Sequence, residues 1–317
     1  MLKIGKLKIN SRLVLAPMAG ISDLPFRLLN RKFGCEMTFI EMINCRSVSH
    51  KSRRTKEMLS SLPQDRPLGI QLLGCEIGFI EKAMEVLENY QFDILDFNAA
   101  CPAKKVVRRG EGASLLKDPL KLSKILKTIV KKSTVPVTVK IRTGWDKDTV
   151  NAVDIASVIQ DAGVNGLFIH GRTKAQGYGG KVDYSTIAKV KKVLDIPVIA
   201  SGDVFSAQLV KKMFDETGCD GVAVARGALG NPWIFRESLA YLKNGKSVPL
   251  PTKEEIIQIM LEHLDTSVDF YGEKGGVVRF RKFFIWYTKG MRRVRTLREV
   301  SSRAKTAEQL KEIISKI

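Results

Sequence analysis

The chain has 317 residues, 44% of them hydrophobic, which is enough for one large domain and a smaller one around a substantial core. Lysine and arginine number 53 against 33 acidic residues, so the formal charge is +20, which suits a protein that binds a polyanion. A general bias towards lysine would also produce this charge, so only clustering makes it informative.

Several protein classes are disfavoured by the same sequence. The amino terminus lacks the apolar segment of a signal peptide, and no apolar stretch is long enough to span a bilayer. The five cysteines are widely spaced without a CxxC pair, so neither a disulfide framework nor a metal site is expected. These features predict a cytoplasmic protein.

The predicted strands are short apolar segments separated by longer amphipathic ones. Several, such as Val198–Ser201, are almost wholly apolar, which is typical of strands buried on both faces of a parallel sheet. The pattern predicts eight strands: Leu13–Met18, Met37–Glu41, Leu68–Leu72, Ile94–Asn98, Val137–Arg142, Gly166–His170, Val198–Ser201 and Gly221–Ala225.

Helical patterns fill the intervals between these strands. One helix opens after Asp118 and Pro119, an N-cap and a proline at the first helical position, and another opens after Ser206 as its cap. Eight strand–helix units in about 240 residues predict a (β/α)8 TIM barrel, with a doubly wound sheet as the structural alternative.

The carboxy-terminal part of the chain has a different pattern. Residues Asn244–Pro251 are rich in turn formers and predict a linker, and from Lys253 onwards the pattern is helical only. We therefore expect a catalytic barrel domain over residues 1–243 and an all-helical domain over residues 252–317.

Residues that are unusual in buried strands gather at the predicted strand ends, where TIM barrels carry their chemistry. Polar groups buried there without partners would be costly, so we expect them to line one pocket. In strand order they are Pro17 and Met18, Glu41, Gln71, Asn98, Lys140 and Arg142, His170 and Arg172, Ser201 to Asp203, and Ala225 to Gly227.

The last two strand ends together predict a phosphate site. Ser201-Gly202-Asp203 and Ala225-Arg226-Gly227 follow the seventh and eighth strands, where TIM barrels bind phosphate. Glycine permits a close approach of backbone amides to phosphate oxygens, and Arg226 adds positive charge. A single glycine after a strand is usually only a turn, but two such loops on neighbouring strands favour phosphate.

Two side chains are suited to a flavin ring. Lys140 ends an apolar strand, and in the pocket its ammonium would face the N1–C2=O2 edge, where positive charge stabilises the reduced anion. Gln71 offers both a donor and an acceptor to a ring edge. The alternative for Lys140 is a surface lysine at a strand end.

Cys101 and His170 are the candidates for proton transfer. Most cysteines are inert packing residues, but Cys101 lies in a loop among Lys104, Lys105, Arg108 and Arg109. Such neighbours are expected to lower a cysteine pKa, and the side chain could then serve as nucleophile or as general acid. His170 ends a strand directly before Gly171, so a role in the pocket is expected.

These motifs resemble the tRNA-dihydrouridine synthase family over the whole chain, most of all its B-type bacterial branch. A set of this kind in this order is highly specific. In chain order the motifs are Leu15–Gly20 continuing into Ser22–Arg27, Asn98–Lys105, Val139–Trp145, His170–Thr173 and Gly227–Trp233.

The resemblance implies FMN as cofactor, NADPH as its reductant and uridine in tRNA as substrate. It implies hydride transfer from flavin N5 to C6 of the uridine and proton transfer from Cys101 to C5. The FMN-binding positions would be Pro17, Met18, Ala19, Gln71, Lys140, His170, Ser201, Gly202, Asp203, Ala225 and Arg226. The substrate contacts would be Asn98, Lys140, His170, Arg172, Arg292, Arg293 and Arg295.

Three departures from the family pattern affect these expectations. The family usually has Met-Gly where this chain has Ala99-Ala100, in the loop before Cys101. It usually has Asn where this chain has Ser201, and Gly where it has Ala225. The last two put the individual phosphate contacts in question.

Positive charge is clustered in the helical region. Between Val277 and Lys305 ten basic residues face the single acidic Glu299, a net charge of +9. Phe280, Phe283, Phe284, Trp286 and Tyr287 interleave with them, and most of these aromatics are expected to pack the helical core. With the basic loops near Arg53 and Lys104, this distribution fits a folded polyanion that bridges pocket and helices.

Two other functions fit parts of the pattern. A dihydroorotate- or dihydropyrimidine-dehydrogenase-like flavoenzyme acting on a free pyrimidine would share barrel, FMN and cysteine, but would not need the basic helical region. A non-catalytic RNA-binding protein would leave Cys101, Lys140 and His170 unexplained.

Overall fold

The computed structural model describes residues 1–317, and eight parallel strands in it close into a barrel. Closure follows from pairing of the last strand with the first, in which Val222 is aligned with Leu13. The predicted TIM barrel is confirmed, and the doubly wound alternative is wrong because that sheet would keep two free edges. Two short strands, β1 (Leu2–Ile4) and β2 (Leu7–Ile9), precede the barrel. The barrel strands are β3 (Leu13–Leu15), β4 (Met37–Asn44), β5 (Leu68–Leu73), β6 (Ile94–Asn98), β7 (Val137–Arg142), β8 (Gly166–His170), β9 (Val198–Ser201) and β10 (Gly221–Val224).

Helices pack around the outside of the barrel and then form the carboxy-terminal region. None of them combines the length and apolar character needed to cross a membrane. The helices are α1 (Leu24–Lys32), α2 (Cys45–Ser49), α3 (Arg53–Met58), α4 (Ile77–Leu87), α5 (Lys104–Val107), α6 (Pro119–Lys132), α7 (Ala152–Asp161), α8 (Tyr184–Val193), α9 (Ala207–Thr217), α10 (Ile234–Asn244), α11 (Lys253–Tyr287), α12 (Arg295–Arg303) and α13 (Ala307–Ser315), with 3-10 turns at Gly112–Lys117 and Arg226–Ala228.

The helix caps follow the sequence. Asp118 directly precedes Pro119, the first residue of α6, and its side chain accepts a hydrogen bond from the backbone N–H of Lys121. The side chain of Ser206 accepts one from the backbone N–H of Leu209 at the start of α9. Both bonds satisfy amides that the first helical turn leaves without partners. The predicted starts of α6 and α9 are therefore confirmed.

Strand β4 differs from its prediction. It runs to Asn44, and its pairing with β5 shifts between Phe39 and Met42. Glu41 lies in this irregular segment, and its carboxylate accepts from the backbone N–H of Gly20. The expectation that Glu41 ends a strand and faces the pocket is wrong, because a bulge re-aims the side chains around it.

A short hairpin precedes the barrel and was not predicted as strands. It pairs β1 (Leu2–Ile4) with β2 (Leu7–Ile9) in antiparallel register. Its buried side chains share one apolar cluster with the interior residues Phe39 and Phe168. The alternation of apolar and lysine residues in this segment therefore reflects one face buried against the barrel and one in solvent.

The carboxy-terminal helices share one apolar core with the barrel. Phe283 stacks on Phe26 of α1, with ring centroids 5.5 Å apart, and both belong to the largest core cluster. Helix α11 is broken at Gly272, whose φ is 72°. The predicted division into a barrel domain and a helical domain stays a prediction, because one apolar core joins the barrel and the helices.

Gly230, in the loop after β10, brings the barrel into direct backbone contact with α11. A Cβ at this position would lie 2.4 Å from the carbonyl carbon of Trp286 and 2.5 Å from the backbone nitrogen of Tyr287. Gly230 also has a φ of 65°, which side chains other than glycine rarely adopt. Only glycine fits both requirements.

We predict that Gly230→Ala destabilises the protein by roughly 2–5 kcal/mol, from overpacking against α11 together with left-handed backbone strain. Gly245→Ala is the matched control, because Gly245 has a φ of 66° but nothing within 4 Å of its Cβ position. Strain alone should cost that variant about 1–2 kcal/mol. Urea unfolding measures both, and equal losses would show that the contact with α11 is unimportant.

Candidate active site

A cavity of about 410 Å³ opens at the carboxyl ends of the barrel strands. It is lined by all the residues expected to bind FMN, and Asn98 and Cys101 line it as well. Arg172, Arg292, Arg293 and Arg295, expected at the substrate, are absent from its wall. The expected cofactor residues are Pro17, Met18, Ala19, Gln71, Lys140, His170, Ser201, Gly202, Asp203, Ala225 and Arg226.

A second, larger groove of about 1040 Å³ lies between the β9 and β10 loops and the carboxy-terminal helices. It shares Phe205, Arg226, Gly227 and Leu229 with the first cavity but contains neither Cys101 nor Lys140. Cys101, Lys140 and His170 converge in the smaller cavity, which is therefore the candidate active site.

Asp203 organises the end of the cavity next to β9 and β10. Its Oδ1 accepts a hydrogen bond from Arg226 Nη2 at 2.7 Å and one from Arg172 Nη1 at 2.9 Å. These bonds, with that of Arg172 foremost, lower the pKa of Asp203. The carboxylate therefore stays ionised and holds Arg226 at the cavity wall.

Arg172 is buried and hydrogen-bonds to the backbone of the loop that follows β8. Its Nε donates to the carbonyl of Gly179 at 2.8 Å and its Nη2 to that of Gly180 at 2.5 Å. Together with the ion pair to Asp203, these bonds occupy its guanidinium. The structure thus places Arg172 behind the cavity wall, where its observed partners are protein groups.

Glycine after β10 is required by packing within the protein. A Cβ on Gly227 would lie 1.9 Å from the carbonyl oxygen of Val204, so this loop requires glycine. Ser201 Oγ donates to the carbonyl of Ile169 at 3.1 Å and is turned towards β8. Ala225 has a φ of −118°, so its side chain causes no left-handed strain there.

Lys140 presents an ammonium group to the cavity without a hydrogen-bond partner in the protein. Burial lowers its pKa, and the nearby charge of Asp96 opposes that change. An ammonium with open donors in a largely desolvated wall favours an acceptor or anion on the ligand.

His170 is neutral in this environment. Burial, followed by the charges of Arg142 and Lys140, lowers its pKa to about 2. A neutral imidazole has one N–H donor and one acceptor nitrogen. His170 can therefore orient a polar ligand group, and it carries no positive charge at neutral pH.

Cys101 is fixed through both of its backbone groups. Its N–H donates to Asn98 Oδ1 at 2.8 Å, and its carbonyl accepts from the N–H of Ala113 at 3.1 Å. Gly112 makes this clamp possible, because a Cβ there would lie 2.7 Å from the carbonyl oxygen of Cys101. These two bonds fix the backbone from which the Cys101 side chain extends at the cavity wall.

The expected lowering of the Cys101 pKa is wrong. Burial raises the pKa of this thiol, and that effect exceeds the opposing charges of Arg142 and Arg109. Lys104 and Lys105, which motivated the expectation, are exposed to solvent instead. A protonated thiol suits a general acid better than a nucleophile.

Two wall residues received no specific role from the sequence. Arg142, expected to line the pocket as a strand-end residue, does line it; it is 2% exposed and donates to the carbonyls of Ala100, Thr173 and Gly177. Tyr178 packs beside it at the cavity mouth, with the guanidinium carbon of Arg226 4.9 Å from its ring centroid. Tyr178 lies in a long glycine-rich loop after β8, and because long loops at strand ends often carry binding residues, the sequence of this loop could have indicated its role.

The basic residues of the carboxy-terminal region divide into two groups. Four of them bond to the protein itself, namely Arg279 to Glu57, Lys282 to Gly20, Arg281 to Ala304 and Arg298 to Thr288. The other six are exposed, namely Lys289, Arg292, Arg293, Arg295, Arg303 and Lys305, and Arg295 Nε lies 3.7 Å from Glu299 Oε1. Among the aromatics, Phe280, Phe283, Phe284 and Tyr287 are buried, as expected for the helical core.

Comparison with solved structures supports the barrel architecture. The chain is similar to 6-hydroxypseudooxynicotine amine oxidase from Pseudomonas geniculata N1, with a TM-score of 0.60 and 15% identity over 82% of this chain and 52% of the other. It is similar to histamine dehydrogenase from Rhizobium sp. 4-9, with a TM-score of 0.59 and 12% identity over 90% and 50% of the two chains. At such identities the likeness shows the fold alone.

Sequence relatives are much closer. A probable tRNA-dihydrouridine synthase of Rickettsia bellii is 40% identical over 292 residues, which cover 92% of this chain and 90% of the relative. The tRNA-dihydrouridine synthase B of Pseudomonas aeruginosa is 40% identical over 285 residues, or 90% and 86% of the two chains. A family model described as dihydrouridine synthase (Dus) matches residues 14–317, and the chain therefore belongs to the dihydrouridine synthase family.

Proposed function

We propose that this protein is an FMN-dependent tRNA-dihydrouridine synthase that uses NADPH to reduce the C5–C6 double bond of uridine in tRNA. The observation that carries the proposal is the single cavity that joins Arg226, an unpartnered Lys140, a neutral His170 and the protonated thiol of Cys101. Family membership and the names of its relatives agree with this reaction. Because the cytoplasm holds the tRNA, the proposed substrate also places the enzyme there.

The cavity residues fit FMN at both ends. Arg226 and the backbone N–H groups of the cavity-lining residues Gly202 and Gly227 would hold the phosphate, and Asp203 would orient the guanidinium of Arg226. Lys140 and Gln71 would meet the polar edge of the ring. The volume of about 410 Å³ is within the range of about 300–1,000 Å³ that is usual for small-ligand sites.

When bound and reduced by NADPH, FMN would supply hydride to C6 of the uracil. Cys101 would hold the second hydrogen as a thiol, since its raised pKa keeps the proton on Sγ at neutral pH, and would deliver it to C5. Lys140 and the free N–H of the Asn98 amide would bind the uracil carbonyls. Neutral His170 would orient the base without adding charge.

Charge outside the cavity supports tRNA over a free pyrimidine. Arg292, Arg293 and Arg295 project into solvent, and the side chain of Arg295 is 95% exposed. Such residues contribute nothing to binding a free base inside the barrel, but they suit phosphates of a folded RNA. The target base would have to leave its stack to enter the cavity, as in other enzymes that modify bases.

We predict that Arg226→Ala weakens FMN binding by about 1.5–3 kcal/mol, the range for a hydrogen bond to a charged group. Arg236→Ala is the control, because Arg236 is exposed and packs against Phe33 away from the cavity. Fluorescence titration of FMN gives both affinities. A preference for FAD, or no flavin binding after reconstitution, would contradict the proposed cofactor.

We predict that the triple change of Arg292, Arg293 and Arg295 to Ala weakens tRNA binding and flattens its salt dependence. Each lost phosphate contact should reduce the log–log salt slope by roughly one unit. Lys121, Lys124 and Lys127, which are exposed on α6, provide a control that removes the same charge elsewhere. Flavin reduction by NADPH should be unchanged in both variants. Equal tRNA slopes for the two variants would show that these arginines are not the contact.

We predict that Cys101→Ala lowers dihydrouridine formation by about 10²–10⁴-fold, the usual contribution of general acid catalysis. FMN content and reduction by NADPH should be retained, because neither requires the thiol. Cys75→Ala is the control, since Cys75 is also half-buried but bonds to the carbonyl of Arg109 outside the cavity. Single-turnover oxidation of the reduced enzyme by tRNA makes the measurement. A wild-type rate in Cys101→Ala would rule out this thiol as the acid.

A further inference from the structure

Asp96 lies inside the barrel one residue layer below the cavity, and none of the roles above uses it. It is 2% exposed and is aligned with Gln71 on one neighbouring strand and with Thr138 on the other. Its Oδ2 accepts a hydrogen bond from Gln71 Nε2 at 2.6 Å, and its Oδ1 accepts one from Thr138 Oγ1 at 2.7 Å. A costly buried carboxylate is thus bonded through both oxygens.

Gln71 extends this contact towards the cavity. Its Oε1 accepts from Asn98 Nδ2 at 2.8 Å. Asn98 Oδ1 in turn accepts from the backbone N–H groups of Ala100 at 2.9 Å and Cys101 at 2.8 Å. This series of bonds, from Asp96 through Gln71 and Asn98 to the Cys101 N–H, is called the amide relay below.

The two ends of the amide relay impose its direction. An ionised carboxylate only accepts hydrogen bonds, and a backbone N–H only donates them. A reversed Gln71 amide would set its oxygen against Asp96, and a reversed Asn98 amide would set its NH₂ against the N–H of Cys101. Each amide therefore has one orientation, which also fixes the donor and acceptor sites that it presents to the cavity.

The charge of Asp96 strengthens this arrangement. Burial raises its pKa to about 6, against the hydrogen bonds from Gln71 and Thr138 and the charge of Lys140. The carboxyl group is therefore ionised at neutral pH and above, where its bond to Gln71 is charge-assisted and stronger than a neutral one.

We propose that Asp96 is a positioning residue of the active site, which fixes the amide orientations of Gln71 and Asn98 and the placement of Cys101 through the amide relay. The proposal rests on the proposed function, because the placement of Cys101 matters for turnover only when its thiol must reach the uracil C5. Asp96 itself does not line the cavity.

The test uses full-length protein saturated with FMN that carries Asp96→Asn, Gln71→Glu or both changes. Asp96→Asn replaces a charged acceptor by a neutral one of the same shape. We expect tRNA to oxidise the reduced variant at least about tenfold more slowly, while reduction by NADPH stays within about threefold, in line with coupling between contacting residues. A lower kcat with little change in KM for tRNA is expected.

The double variant separates orientation from simple packing. Gln71→Glu alone sets two carboxyl groups against each other at a position where the present atoms are 2.6 Å apart, so the pair must either repel or take up a proton, and both are costly above neutral pH. In the double variant the new amide at position 96 can donate to the new carboxylate at position 71, which still accepts from Asn98. Gln71→Glu should therefore be at least about tenfold less harmful to the tRNA step in the Asp96→Asn background than alone.

Two further measurements do not depend on turnover. The rate of Cys101 alkylation, followed by mass spectrometry with Cys75 as internal reference, should change in each single variant and return towards wild type in the double variant. The melting temperature should show the same coupling. Thr138→Val is the matched control, because it removes the bond to the other Asp96 oxygen and no bond of the amide relay. Since the Thr138 bond lowers the Asp96 pKa, all variants are compared at a pH well above that pKa, where the carboxylate stays ionised without it. Its tRNA step should stay within about threefold of wild type.

Additive effects of the two changes on the tRNA step and on Cys101 alkylation would overturn the proposal. Equal slowing by Thr138→Val and Asp96→Asn would also overturn it, since the carboxylate would then act only as packing. If wild-type protein reduces no uridine in tRNA but alkylation still shows the coupling, the proposed function fails while the placement of Cys101 by Asp96 is upheld.

Discussion

Closure of the parallel barrel is the constraint on which the site depends. Pairing of β10 with β3 leaves no free edge and brings eight carboxyl strand ends into one ring. Residues from 17 to 229 along the chain therefore meet around a single cavity. The same parallel pairing buries the strands on both faces, so every polar side chain that points inward near the ring needs a partner or a ligand.

Buried charges around this ring are held by different means. Arg142 and Arg172 use their guanidinium groups on loop carbonyls, which orders the loop that carries Tyr178 over the cavity. Asp203 is shared between Arg172 and Arg226 and keeps the latter at the wall. Lys140 has no hydrogen-bond partner in the protein, and Arg226 bonds only to Asp203, so both cations keep donors free for a ligand.

The carboxy-terminal helices pack against the barrel next to the cavity. Lys282 donates to the carbonyl of Gly20, directly after the cavity residues Pro17 to Ala19, and Tyr271 donates to Asp23 at 3.1 Å. Gly230 on the opposite loop meets the backbone of α11. A polyanion held on the exposed arginines of these helices would thus sit on a body that is packed rigidly against the cavity loops, which suits delivery of one base to a fixed position.

The sequence by itself determined the barrel, because buried parallel strands are apolar throughout and their ends carry polar residues; β6 to β9 begin and end as predicted. It also identified the expected cofactor residues of the cavity wall, from Pro17 to Arg226, since strand ends converge in this fold. Only the tertiary structure decided the charge states and partners. The basic neighbours of Cys101 predicted a lowered pKa, whereas burial raises it. Arg172, expected at the substrate, donates instead to a carbonyl of the protein. The contacts of Asp96 depend on strand register across three strands, and no local pattern records which side chains on neighbouring strands become aligned.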